Sequence, residues 1–282
     1  GGCSFFDDAQ HNVLTRWEMD LVRDTSGKFL YLTDLDSLTE DVPSPNLWSL
    51  APAPCRAKYD HFSCTHTLGS TTFKTTRTGI ETEWTIAAAP TEESTELRIG
   101  APGGGVELWL VTIRNTSDKP RTLRLGSYLE WFCGVAPDTK REFHRLFLET
   151  THDAARHAIF ATKNMWDIPP KSEKDHWNQP WPYVAAHAVC GDLASPNIKA
   201  IRATGDKTAF LGRYGSPAAP KFMTGAPSAT PGPFGRFGDA VAAHGIDFTL
   251  APGQTLKVHF LLAIGNNTAH TQRLLDTYRT RE

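Results

Sequence analysis

The sequence lacks a basic excess, a cysteine framework and any long hydrophobic run, and each shortage closes off a class of protein. Lys and Arg number 29 against 31 Asp and Glu, for a formal net charge of −2, whereas nucleic-acid binding leaves a basic footprint. The cysteines are Cys3, Cys55, Cys64, Cys133 and Cys190. Their odd count without a repeated spacing argues against a disulfide scaffold. They read as reduced, mostly buried thiols in a reducing compartment. No apolar stretch approaches the roughly 20 residues that a membrane helix requires. A content of 40% hydrophobic and 21% charged residues excludes a disordered tail. No Gly-x-Ser-x-Gly elbow and no helix-opening Gly-x-Gly-x-x-Gly occur. The Gly103-Gly104-Gly105 run precedes a strand and reads as a turn, not a phosphate cradle. The chain opens at Gly1 without an initiator methionine or a signal-peptide pattern, so it is expected to be trimmed or excised from something longer.

What is present is period-2 alternation. Residues 106–115 carry Val106, Leu108 and Leu110 on one face and Trp109, Val111 and Ile113 on the other, as in a strand covered on both sides. After the polar turn 116–120, Leu123, Leu125, Ser127, Leu129 and Trp131 share one face, with Arg124 and Glu130 opposite. Two such runs across a short turn predict a β-hairpin. Further strands are expected at 13–17, 29–33, 62–68, 71–76, 81–87, 145–150, 158–163, 183–189, 198–203 and 255–264. Only 268–279 follows the helical period, and 215–238, rich in Gly, Pro, Ala and Ser, reads as a long loop. Neither tandem repeat nor linker divides the 282 residues, so one large all-β domain of two packed antiparallel sheets is expected. Leu108, Leu110, Leu123, Leu125, Val258, Phe260 and Leu262 are its expected core.

Catalytic patterns are scarce. Asp7-Asp8 and Glu92-Glu93 are adjacent residues that point to opposite faces of a strand, and Asp34 with Asp36 lies in a turn. All three pairs read as solvated turn residues rather than the carboxylate pair of a glycosidase. His61, Cys64 and His66 lack a fourth ligand nearby, so packing or hydrogen bonding is favoured over metal. The segment 164–183 is different. Trp166, Trp177 and Trp181 offer ring faces beside Asn164, Asn178 and Gln179, whose amides both donate and accept. Such a polar, Trp-rich loop either binds sugar or folds onto its own sandwich through its Trp anchors, and both readings stay open.

Several stretches in order resemble one family. They are Leu14-Thr15-Arg16-Trp17, Phe29 to Asp34 followed by Leu47-Trp48-Ser49-Leu50, and Tyr59 to Phe73 with Thr65-His66-Thr67-Leu68-Gly69-Ser70-Thr71. Glu107 to Arg121 with Ser127-Tyr128-Leu129-Glu130-Trp131, Phe210-Leu211-Gly212-Arg213 with Pro217, and Leu250-Ala251-Pro252-Gly253 continue the series. The chain resembles the N-terminal β-supersandwich domain of glycoside hydrolase family 94, which includes cellobiose and chitobiose phosphorylases and the phosphorylase-like region of cyclic β-1,2-glucan synthases. Thr65, Thr67 and Ser70 depart from the family pattern. The "FLGR" stretch and the Asn164-x-Trp166 pattern are similar to the β-1,2-glucan branch.

The resemblance implies a supersandwich over 1–267 and a helical segment, 268–282, leading toward an (α/α)₆ barrel absent from this sequence. The barrel would supply the acid chemistry, so this chain alone is expected to be non-catalytic, with no cofactor and no metal of its own. The parent would be an inverting phosphorylase or glycosyltransferase using inorganic phosphate as co-substrate and an oligosaccharide as substrate. The resemblance further implies a homodimer and a cytoplasmic location. The competing readings are a free-standing carbohydrate-binding sandwich that uses the Trp-rich loop, and an independent enzyme with an unrecognised site.

Overall fold

Alternation of the kind seen in the sequence buries one face of a strand and forces pairing on both edges. The computed structural model describes residues 4, 13–16, 27–37, 46–89, 104–134, 142–165, 180–225, 231–236 and 238–280. In chain order the first strands are β1 (Val13–Thr15), β2 (Lys28–Asp34), β3 (Leu47–Ser49), β4 (His61–His66), β5 (Ser70–Arg77), β6 (Ile80–Ala88) and β7 (Gly105–Asn115). Then follow β8 (Arg121–Gly134), β9 (Leu148–Asp153), β10 (Ala158–Lys163), β11 (Val184–Gly191), β12 (Ile198–Asp206), α1 (Lys207–Leu211), α2 (Lys221–Thr224), β13 (Ala240–Leu250), β14 (Thr255–Gly265) and α3 (Thr268–Tyr278). An eight-stranded antiparallel sheet, β4-β5-β6-β7-β14-β11-β10-β9, faces a six-stranded one, β12-β13-β8-β2-β3 with β1 on β8. The all-β, two-sheet architecture is as expected.

The interior holds Leu123, Leu125, Val258, Phe260 and Leu262 as expected, together with Trp48, Trp84, Trp109 and Trp131. On β7 the expected face is wrong. Pairing of Trp109 with Phe260 and of Val111 with Val258 turns the Trp109, Val111 and Ile113 stripe inward. Leu110 is then 42% exposed, and Leu108 packs on the outer face beside Val106. Both stripes of β7 are apolar, and alternation alone does not choose between them; the bulkier stripe took the interior. Outside the large sheet, α3 lays Leu275 and Tyr278 on Phe160, Leu261 and Ala263. Outside the small sheet, Phe210 of α1 and Met223 of α2 cover Tyr31 and Tyr128. These two short helices and β3 and β13 are absent from the sequence-based expectation, and α2 falls inside the stretch expected to be a loop.

The expected hairpin at 116–120 is an arch instead. β7 pairs with β6 and β14, and β8 pairs with β13, β2 and β1, so the turn carries the chain from one sheet to the other. A hairpin would place both apolar stripes side by side, whereas the arch sets them face to face across the core. A second arch, 251–254, carries β13 into β14 alongside it. Buried Asn115 stitches the two together. Its side-chain amide donates to the carbonyls of Lys119 (2.8 Å) and Leu250 (2.9 Å), and its Oδ1 accepts from the backbone N–H of Ser117 at 3.0 Å. A true two-residue hairpin joins β5 to β6 at the same end. Thr78 (φ 48°) and Gly79 (φ 77°) both have positive φ, as a type I′ turn demands. A Cβ on Gly79 would also sit 2.8 Å from that of Ser117. Arg121 closes this arch end by bonding Asp34 and the Thr78 carbonyl.

Candidate functional site

At the opposite end, where β7 begins and β8 finishes, the connections lengthen. Segments 16–27, 89–104, 135–147, 164–183 and 207–239 all leave from and return to it. Function on a rigid β scaffold commonly resides on loops grouped in this way.

The segment 164–183 is pinned at its base. The Asn164 N–H donates to the Phe147 carbonyl at 3.0 Å, and the Trp181 N–H to the Lys163 carbonyl at 2.9 Å, so the loop departs and returns through a closed neck. Asn164 is exposed. Trp181 is buried, 5.4 Å edge-on to Tyr183, and its ring belongs to the inter-sheet core. It therefore serves as the anchor of this loop's return. Trp166, Trp177, Asn178 and Gln179 lie outside the described residues.

A second cluster bridges the two sheets at the same end, and no motif or spacing in the chain marks it. Lys28 of β2 reaches across to Glu107 of β7, Nζ to Oε1 at 2.7 Å, and also donates to Ser4 Oγ at 2.7 Å. Trp109 Nε1 donates to the same Oε1 at 2.5 Å, and Ser4 Oγ donates to Oε2 at 2.9 Å. Lys28 is buried and Glu107 is 21% exposed. Beside them opens a cleft of about 570 Å³, walled by Phe73, Trp84, Ile86 and the 51–53 turn.

Deeper in the core, Ser127, His187 and His244 form a polar cluster shared by the two sheets. A carbonyl can only accept, so His187 Nδ1 donates to the Leu261 oxygen (3.0 Å) and His244 Nε2 to the His187 oxygen (3.0 Å). In the neutral ring, His187 Nε2 then accepts from Ser127 Oγ at 3.0 Å. Burial, aided by the nearby His244 and Lys28, holds the His187 ring well below its ordinary range. Burial pushes His244 down to about 3. The Ser–His pair superficially fits a nucleophile and its base, but all three residues are fully buried, so no substrate reaches them. Their role is structural.

The remaining candidates have ordinary roles. Asp34 is not a solvated turn residue: it is buried in the ion pair with Arg121. Asp36 accepts the Thr122 N–H at 2.7 Å. Asp7-Asp8 and Glu92-Glu93 lie outside the described residues. On the exposed edge strand β4, Cys64 Sγ and His66 Nε2 are 3.5 Å apart, and His66 Nδ1 contacts Thr71 Oγ1 at 2.9 Å. Among the described residues no group of three or more His, Cys, Asp or Glu could hold a metal ion. Cys55, Cys64, Cys133 and Cys190 are free thiols. Burial pushes Cys55 and Cys133 up to about 12, far from nucleophilic. No described helix is long and apolar enough to cross a membrane.

Two large antiparallel sheets joined by arches, with long connections at one end, define a β-supersandwich domain. The profile of the glycosyl hydrolase 94 supersandwich domain matches residues 1–281, and the chain belongs to that family. Among similar proteins, an N,N'-diacetylchitobiose phosphorylase of Vibrio furnissii is 26% identical over 52% of this chain and 16% of its own length. Cyclic beta-(1,2)-glucan synthase NdvB of Rhizobium meliloti (strain 1021) is 27% identical over 94% of this chain and 8% of its own. A solabiose phosphorylase of Paenibacillus borealis is 25% identical over 83% of this chain and 27% of its own. The chain thus spans a small part of each of these relatives.

Proposed function

We propose that this chain is the accessory, non-catalytic domain of a carbohydrate phosphorylase or glycosyltransferase acting on β-glucosides. Its loop end forms one wall of the sugar cleft, and an (α/α)₆ barrel supplies the acid and the phosphate-binding residues. Inorganic phosphate is the co-substrate, the assembly is a homodimer, and the enzyme works in the cytoplasm. The observation that carries this reading is the pinned neck of 164–183 at an end where the long connections gather. The family membership supports it. A leaning toward β-1,2-glucans is supported by the glucan synthase aligning over 94% of the chain. Within the loop, Asn164, Trp166, Trp177, Asn178 and Gln179 contact sugar, and Trp181 holds the loop's base. This reading predicts that the chain alone turns over no glucoside, with or without phosphate. The full-length enzyme phosphorolyses a β-glucoside with inversion, releasing an α-configured sugar 1-phosphate. Turnover by the purified chain, or a full-length enzyme inactive on every β-linked glucoside, overturns it.

A further inference from the structure

We infer that the cleft beside Lys28 and Glu107 is a binding site for a neutral pyranose, separate from the 164–183 loop. The cleft lies under β5, β6 and β7, while that loop joins β10 to β11, with β14 between them in the sheet. It goes beyond the wall-forming role above, because its lining is formed by this chain's own described residues.

Its walls suit a sugar ring in three respects. Volume comes first: about 570 Å³ falls in the range of roughly 300–1,000 Å³ that small-molecule sites occupy. The second is an apolar wall. Phe73 and Trp84 lie 5.2 Å apart at 32°, and Ile86 continues their surface along β6. Such a wall matches the C–H face of a pyranose. The third is the polar end. Glu107 Oε2 accepts one hydrogen bond, from Ser4, and its Oε1 accepts two. A carboxylate offers about four lone-pair sites, which leaves one at Oε2. Lys28 has three N–H donors, of which Ser4 and Glu107 take two. An acceptor and a donor side by side match two neighbouring hydroxyls of one ring.

Charge selects among ligands. The Lys28–Glu107 pair sums to zero, so an anion meets the carboxylate and a cation meets the ammonium. A neutral polyol meets neither penalty. Burial of Lys28 and the bonds from Ser4 and Trp109 hold the carboxylate in place before a ligand arrives, which lowers the ordering cost of binding.

Trp109 provides the reporter, because its indole N–H donates to the carboxylate that a sugar hydroxyl would share. The test is a titration of the ¹⁵N-labelled chain with methyl β-D-glucoside and with β-1,2-linked glucobiose, following the indole N–H resonances. Saturable movement of the Trp109 resonance is expected in the millimolar range. Sorbitol, which has hydroxyls but no flat ring, should bind at least ~10-fold more weakly. Glu107→Gln should weaken binding by ~10-fold or more, and Ile86→Trp, which fills the cleft while leaving the ion pair intact, should abolish it. The Ile86 variant keeps the test decisive if Glu107→Gln fails to fold. An unmoved Trp109 resonance at ~100 mM sugar, sorbitol binding as well as the glucosides, or unchanged binding by Ile86→Trp overturns the proposal. Because the readout is binding by the chain itself, it stands or falls independently of the full-length enzyme's activity.

Discussion

The two ends of the sandwich are built in opposite ways. At the arch end the short connections 78–79, 116–120 and 251–254 lie together, and side chains close them: Asn115 binds both arches, and Arg121 ties β8 to the carbonyl of the 78–79 turn. Its polar groups are spent on one another. At the loop end the connections 16–27, 89–104, 135–147, 164–183 and 207–239 are long, and among the described residues the Lys28–Glu107 ion pair bridges the sheets there, with its carboxylate partly open. A scaffold of this kind concentrates stability where the backbone is tightly bonded and leaves binding groups where it is not. The difference teaches that one sandwich can close one end with its own side chains while its long connections gather at the other.

That contrast is open to direct attack by mutation. The largest effect belongs to the shared core between the ends: Leu125→Ala, fully buried, should cost about 2–5 kcal/mol in denaturant unfolding. At the arch end, Asn115→Ala takes the amide donor from the buried Leu250 carbonyl and should cost about 1–3 kcal/mol. At the loop end, Asn164→Ala keeps its backbone bond to Phe147 and should change stability by less than about 0.5 kcal/mol. Equal losses for Asn115→Ala and Asn164→Ala would erase the distinction between the ends.

Acid sharpens the picture of the core that both ends share. The imidazole of His244 takes its proton near 6.5 in the unfolded chain and near 3 in the folded one. Between these values the unfolded chain binds more protons. Stability is therefore complete above pH 6.5 and declines as pH falls toward 3. At pH 5 the loss from His244 alone should be about 2 kcal/mol. Thermal unfolding from pH 7.5 to 4.5 should show this slope, and His244→Asn should make it shallower, with buried His187 maintaining the remainder. The smallest effect tests the strand faces. Leu110→Ala, at a position 42% exposed, should shift stability by less than about 0.5 kcal/mol. A loss comparable to that of Leu125→Ala would restore the face expected from sequence.

Much of the fold is readable from alternation, and its gaps have physical causes. Period 2 locates β7, β8 and β14 closely because each carries a long, unbroken stripe. It does not distinguish a hairpin from an arch, since pairing partners are chosen by strands far away in sequence, such as β13 and β14. The three residues of β3 are too few to show a period. The Lys28–Glu107 cleft is invisible for the same reason as the arches. Its two charges stand 79 positions apart and meet only across the folded interior. The neck of 164–183 is the reverse case, for its Trp and amide residues are adjacent in the chain and announce themselves. Even there, burial of Trp181 shows that one conspicuous aromatic residue can serve as an anchor.

The central claim is that the loop end contacts substrate while the arch end sustains the fold. Steady-state kinetics of Trp177→Ala in the full-length enzyme, with the melting temperature of the same preparation, tests it most directly. A loop that positions sugar acts on binding, so KM should rise by an amount equivalent to about 1–3 kcal/mol. The kcat and melting temperature should stay near the parental values. A variant that melts early yet keeps the parental kcat/KM would contradict the account and make the loop a purely structural element.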